Sequence, residues 1–218
     1  QAWEEKLSKV YPPVSSVETK EELPNFAKEE HKSLDEARKN VSSLTVINGK
    51  AKPRVLIPVF PGTNCEYDMA RAFNLAGADS KILVFRNRTP KDLEESLEAL
   101  RNAISESQIL AFAGGFSSGD EPDGSGKFIA NVIREKRIAD AVTAHLEDKN
   151  GLILGICNGF QALIKTGLVP FGKIVEPSAE NPTLTYNNIH RHISRVVRTK
   201  MVSAMSPWAL DSSVLDNR

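Results

Sequence analysis

Cysteine is scarce in this chain, with only Cys65 and Cys157 among 218 residues. Two thiols can pair in principle, but they do not make the disulfide framework of a small secreted domain. Net charge is lacking too. Lys and Arg total 28 against 28 Asp and Glu, so the bulk attraction of a dedicated nucleic-acid or anionic-membrane binder is missing. No apolar run approaches the ~18 residues of a membrane span; the longest are Val55 to Phe60 and Leu152 to Ile156. The N-terminal residues do not read as a signal peptide, and no internal repeat is present. These absences point to a cytoplasmic protein without nucleic-acid or membrane partners. What remains is a globular composition, 40% hydrophobic and 26% charged, which excludes disorder throughout. The length suits one sizeable domain with an appendage.

The first 52 residues hold nine basic and nine acidic side chains, and their apolar residues are too sparse for a core. Residues 1–51 are therefore expected to be a linker, the trailing edge of a longer protein. From Lys52 short aliphatic runs alternate with helical periods, the pattern of a parallel sheet covered by helices. Arg54 to Phe60 reads as a strand broken by Pro61-Gly62. Asn64 is the expected cap of a helix with Met69, Phe73 and Ala76 on its apolar face, ended by Gly77. Lys81 to Phe85 is a second strand. Thr89 as N-cap, Pro90 at the first helical position, and Leu93, Leu97, Leu100 and Ile104 predict the next helix.

Ile109 to Ala113 reads as a third strand that runs into a Gly-rich stretch from Gly114 to Gly126, at the strand edge where α/β sheets place ligands. The stretch is no P-loop, because Gly126-Lys127-Phe128 lacks the final Ser or Thr. Phe128 to Glu135 and Ile138 to Asp148 read as helices with a weak join at Lys136-Arg137. Leu152 to Ile156 is a fourth strand, and Asn158 to Thr166 a short helix closed by Gly167. Beyond Pro170 the pattern loosens, with Ile193 to Thr199 the one later strand expected.

Chemistry concentrates at residues 151 to 161, Gly-Leu-Ile-Leu-Gly-Ile-Cys-Asn-Gly-Phe-Gln. A buried strand turns directly into a helix with Cys157 at the corner, and Gly155 and Gly159 stand two residues to either side. A nucleophile elbow needs such glycines, because its strained turn leaves no room for neighbouring side chains. A thiol there meets unpaired backbone N–H groups and the positive end of the helix dipole, both of which favour a thiolate. The amide of Asn158 and one from the Gly114-Gly115-Phe116 turn are the natural donors to an oxyanion. The bland alternative is a small core cysteine at a tight join. Gln161, one helical turn on, and the Gly-Gly-aromatic turn favour the elbow.

Gly155-Ile-Cys157-Asn158-Gly159-Phe-Gln161 resembles the nucleophile motif of class I, triad-type glutamine amidotransferases. Together with Phe60-Pro61-Gly62-Thr63-Asn64-Cys65-Glu66-Tyr67-Asp68 and Gly114-Gly115-Phe116-Ser117-Ser118-Gly119-Asp120, it is similar to the glutaminase domains of the phosphoribosylformylglycinamidine synthase family. Leu184 to Asn187, Arg191, Ser194-Arg195 and Ser206-Pro207-Trp208 extend the likeness over residues 52 to 209. The resemblance implies an open, mostly parallel flavodoxin-like sheet with helices on both faces. It also implies glutamine hydrolysis through a cysteinyl thioester on Cys157, with ammonia passed to a synthetase that makes formylglycinamidine ribonucleotide. Gly115 and Asn158 would supply oxyanion amides, and Gln161 and Gly159 would hold the substrate. Glutamine and a synthetase domain in the full-length chain are the expected partners. No cofactor or metal is expected in this chain; ATP and Mg belong to the synthetase.

One departure stands out. The family completes its triad with a His-x-Glu pair, and no such tripeptide occurs among His31, His145, His190 and His192. Truncation of residues 52–218 before that segment is the expected reason, which would leave the isolated piece inactive. His31 and His145 read as solvated side chains. Cys65 reads as structural, and the turn Pro61 to Asn64 either shapes the glutamine pocket or merely connects two elements. Arg191, Arg195, Arg198 and Lys200 are either a solvated strand face or a contact for the synthetase or the glutamine carboxylate. Two other functions compete: a non-catalytic docking domain that gates a synthetase, and a flavodoxin-like cysteine peptidase or deglycase. The latter would place a histidine where Asn158 stands.

Overall fold

A computed structural model describes residues 52–117, 126–184 and 207–209. The expected linker, the strand Ile193 to Thr199, the basic residues from Arg191 on, and His31, His190 and His192 lie outside the described residues. Residues 52–184 fold as β1 (Arg54–Val59), α1 (Glu66–Leu75), β2 (Asp79–Val84), α2 (Pro90–Glu106), β3 (Ile109–Phe112), α3 (Lys127–Arg134), α4 (Lys136–Glu147), β4 (Leu152–Gly155), α5 (Asn158–Thr166) and α6 (Leu168–Phe171). Pro207–Ala209 form a separate 3-10 turn.

Among the described residues the strands pair in parallel, in the order β2-β1-β3-β4. Successive side chains of a strand face opposite sides of a sheet, and the strands divide accordingly. Val55, Ile57, Ile109 and Ala111 meet Met69 and Ala70 of α1 on one face. Leu56, Leu110 and Phe112 meet Leu97, Leu100, Ile104, Ile133, Val142 and Leu163 from the helices of the other face. Fully burying an aliphatic side chain of this size contributes about 1.5–3 kcal/mol. The sheet with helices on both faces is thus the architecture that the alternating runs predict, and its strand order is that of a flavodoxin-like fold.

The order reverses between β1 and β3, the switch point where such sheets bind ligands. Backbone groups of β1 alternate between its two neighbours: the Gln108 amide donates to the Arg54 carbonyl (3.0 Å) and the Phe85 amide to the Val59 carbonyl (2.8 Å). Pro58 therefore faces β3 and has no N–H to offer. The β1–β3 ladder stops at the Leu56–Leu110 pair. Just past the end of β1, Phe60, Phe85 and Phe128 pack ring against ring with centroids 5.4–6.1 Å apart.

Several boundaries differ from the sequence reading. Cys65, not Asn64, is the N-cap of α1, and it makes no side-chain capping bond. The amides of Asn64 and Cys65 both donate to the Gly114 carbonyl at 3.3 Å, which holds Asn64 in the preceding turn. Ala76 is exposed and follows α1 rather than joining its buried face. Strand β2 begins at Asp79 because it pairs with β1 from Arg54 onward. Thr89 caps α2 as expected, its Oγ1 accepting from the Asp92 amide at 3.0 Å, although Leu93 is 41% exposed. The α3–α4 join falls at Glu135, whose carboxylate accepts from the amides of Arg137 and Ile138. His145 is not solvated: only 1% of it is exposed.

Candidate active site

The site grows from the end of β4. Ile156 is still tied to β3 through its amide, which donates to the Phe112 carbonyl at 3.0 Å. The next residue turns the chain: Cys157 has φ 50° and ψ −107° and is the N-cap of α5. A non-glycine residue held there costs on the order of 1–3 kcal/mol. The Gln161 amide closes the first turn onto the Cys157 carbonyl at 3.0 Å. Cys157 is exposed, so the core-cysteine alternative fails on position.

Close packing explains the flanking glycines. A Cβ on Gly159 would stand 2.2 Å from the Phe112 carbonyl oxygen, and one on Gly155 would stand 2.8 Å from the Gly159 backbone. Strand β3, the elbow and α5 meet backbone to backbone here, as the motif requires. Asn158 is fully buried at 1% exposure, while Gln161 is half-buried one turn further along the helix.

The second wall comes from the turns after β1 and β3. Thr63 and Gly115 form an isolated antiparallel bridge. The bonds that make it lie to either side: Asn64 donates to the Gly114 carbonyl at 3.3 Å and Phe116 to the Gly62 carbonyl at 2.9 Å. The Gly115 N–H takes part in neither. Glycine is required twice in this crossing. Gly115 has φ 144°, and Gly62 has φ 95° with the Phe116 carbonyl oxygen 1.8 Å from where its Cβ would be. The turn from Pro61 to Asn64 is therefore more than a connection, because it fixes the Gly114–Phe116 turn. Gly114 borders the elbow directly, its missing Cβ lying 3.3 Å from Cys157 Cβ.

A glycine-lined corner with an exposed thiol, a helix N-terminus and a backbone amide on the facing turn is an arrangement for acyl transfer. A family model of the CobB/CobQ-like glutamine amidotransferase domain matches residues 52–216. The chain belongs to that family. Relatives include the phosphoribosylformylglycinamidine synthase subunit PurQ of Dehalococcoides mccartyi, 38% identical over 141 residues, which are 65% of this chain and 49% of that protein. PurQ of Sulfurimonas denitrificans is 35% identical over 141 residues, 64% of this chain and 52% of that one. The chain spans about half the length of the curated relatives it matches. A chain in the solved structure of PurLQS from Thermotoga maritima is 30% identical, with 54% of this chain and 46% of that chain covered and a TM-score of 0.38.

Of the residues singled out in sequence, the amidotransferase fold brings Cys157, Asn158, Gly159 and Gln161 together on the elbow and sets the Gly114–Gly115 turn beside them. It does not bring His145 there. That ring is packed at the opposite end of β4, its Nε2 3.2 Å from the Leu152 carbonyl. Burial and the nearby Lys149 charge hold its pKa below the usual imidazole range, against the opposing backbone hydrogen bonds. Among the described residues, no group of His, Cys, Asp and Glu is arranged to hold a metal ion. None of their helices is long and apolar enough to cross a membrane. Cys65, read in the sequence as structural, stands beside this corner: its sulfur lies 3.5 Å from the same empty Gly114 Cβ position. Its place at the C-terminal edge of β1 was the available signal.

Proposed function

We propose that this chain is the glutaminase part of a phosphoribosylformylglycinamidine synthase. The observation that carries the reading is the strained, exposed Cys157 at the N-terminus of α5, with the Gly115 amide left out of the adjoining bridge. The reaction is taken from the relatives, which are subunits of that synthase. In this reading the Cys157 sulfur attacks the side-chain amide carbon of glutamine. The amides of Gly115 and Asn158 stabilise the negative charge that develops on the carbonyl oxygen. Ammonia leaves, and water hydrolyses the thioester to glutamate. Gly159 keeps the elbow tight, and Gln161 contributes to the substrate side of the first helical turn. The residue that moves protons in this cycle is not among the described ones. Ammonia would pass to a synthetase partner, which binds ATP and Mg and converts formylglycinamide ribonucleotide to the amidine.

The peptidase alternative asks for a base next to the nucleophile, and Asn158 is both the wrong residue and buried. The decisive experiment is Cys157→Ala in the full-length protein that carries this chain. Glutamine-dependent synthesis should fall about 10³-fold or more, with ammonia-dependent synthesis unchanged. Equal loss of both, or persistence of the first, sinks the proposal. A glutamine-shaped electrophile should also alkylate Cys157 in preference to Cys65, which is a thiol control within the same protein.

A further inference from the structure

Cys65 and Cys157 belong to different βα turns, yet both are exposed and both border Gly114. The empty Cβ position of Gly114 lies 3.3 Å from Cys157 Cβ and 3.5 Å from Cys65 Sγ, so those two atoms are within roughly 7 Å of each other. Both atoms border the same empty Cβ position of Gly114. A rotamer change swings a cysteine sulfur by roughly 3 Å, and a disulfide needs the two Cβ atoms about 3.5–4.5 Å apart. Little holds Cys65 back. Its side chain makes no capping bond to α1, and its sulfur has only a long 3.6 Å contact to Asn64 Oδ1.

We propose that Cys65 is the resolving thiol of Cys157, so that hydrogen peroxide closes the pair into a disulfide that caps the nucleophile. This rests on Cys157 being the nucleophile of the site. The sulfur of Cys157 attacks one oxygen of the peroxide; an S–O bond forms, the O–O bond breaks, and the departing hydroxide takes up a proton as water. The sulfur is oxidised by two electrons to a sulfenic acid and the peroxide is reduced. The Cys65 sulfur then attacks the sulfenic sulfur, an S–S bond forms, and the S–O bond breaks with release of a second water that carries the Cys65 proton. The site is shut, and a thiol reductant reopens it before irreversible oxidation can reach Cys157.

The test treats the reduced full-length protein with hydrogen peroxide, blocks free thiols with N-ethylmaleimide and maps the peptides by mass. The expected product links the peptides of Cys65 and Cys157, with loss of glutamate release that dithiothreitol restores. Cys65→Ser, which keeps a good helix-capping residue, should give no such link. Dimedone should then trap a sulfenic acid at Cys157, and at higher peroxide the lost activity should no longer return on reduction. Cys157 sulfinic acid beside a still alkylatable Cys65 in the wild type overturns the proposal, as does equal recovery of the two proteins. The peptide link is read without turnover. A link in a protein whose reduced form releases no glutamate would therefore uphold the pair and defeat the glutaminase reading instead.

Discussion

Strand β4 is bracketed by two glycines that serve opposite ends. At its start, a Cβ on Gly151 would stand 2.3 Å from His145 Nε2; at its finish, one on Gly155 would stand 2.8 Å from the Gly159 backbone. The first close approach buries a polar ring and satisfies its Nε2 against the Leu152 carbonyl. The second pushes a thiol outward on a strained backbone. Both ends are crowded, so crowding alone does not mark a site. What sets the second end apart is a thiol exposed at a positive φ, because nothing in the packing gains from it.

The largest effect expected from breaking this contrast is at the elbow. Gly159→Ala would force its Cβ onto the Phe112 carbonyl, where only movement of β3 or α5 gives relief. Ala would gain up to about 1 kcal/mol in helix propensity, far less than the overpacking costs, so a net loss of about 3 kcal/mol is expected. Gly151→Ala presses on the tip of the His145 side chain rather than on backbone, and should cost about 1–2 kcal/mol. Urea-unfolding midpoints at constant slope would measure both. A larger loss at Gly151 than at Gly159 would mean that the backbone-to-backbone approach is softer than its geometry indicates.

The two ends also differ in how far they could be read in the sequence. The elbow was legible because Gly-x-Cys-x-Gly between an aliphatic run and an amphipathic stretch has a local steric meaning. Helix α2 was legible through Thr89, Pro90 and the Leu97, Leu100, Ile104 spacing. His145 was misread because its helix is rich in charge. Its true environment was nonetheless encoded, since Ile138, Val142 and His145 fall four and three residues apart on the face that is buried. The Thr63–Gly115 bridge had no local signature, because it joins turns that follow two different strands, β1 and β3, and residues 52 positions apart in sequence. The cap of α1 was missed for the same reason, because a long-range bond to the Gly114 carbonyl holds Asn64 outside the helix.

A smaller effect should appear as a pH dependence at the buried end. Burial lowers the His145 pKa in the folded protein, so the native ring stays neutral while the unfolded one titrates near its ordinary value of about 6.5. Above that pH neither state binds the proton and the full stability is present. As pH falls from there toward the folded-state value, the unfolded state takes up a proton that the native state refuses, and stability declines. Thermal unfolding between neutral and mildly acidic pH should therefore lose more in the wild type than in His145→Gln, which cannot titrate. Identical pH profiles would show that the ring is protonated without cost, and with it that the burial at this end is looser than described.

The smallest effect expected has the opposite sign and lies at the strained end. Cys157→Gly places at φ 50° the one residue for which that region carries no steric cost. The strain relieved is on the order of 1–3 kcal/mol. Against it stand the extra conformational freedom that glycine brings to the unfolded chain, about 0.4–1 kcal/mol, and the small burial lost with an exposed side chain. The balance is a gain of about 1 kcal/mol, seen as a higher urea midpoint in a protein that has lost its thiol. Cys157→Ala removes the same sulfur but keeps a Cβ in the strained region, so it should show no comparable gain. The pair of variants separates backbone strain from side-chain loss. If glycine proved no more stable than alanine, the turn would be relaxed as it stands, and the stability given up at the elbow to present the nucleophile would vanish with it.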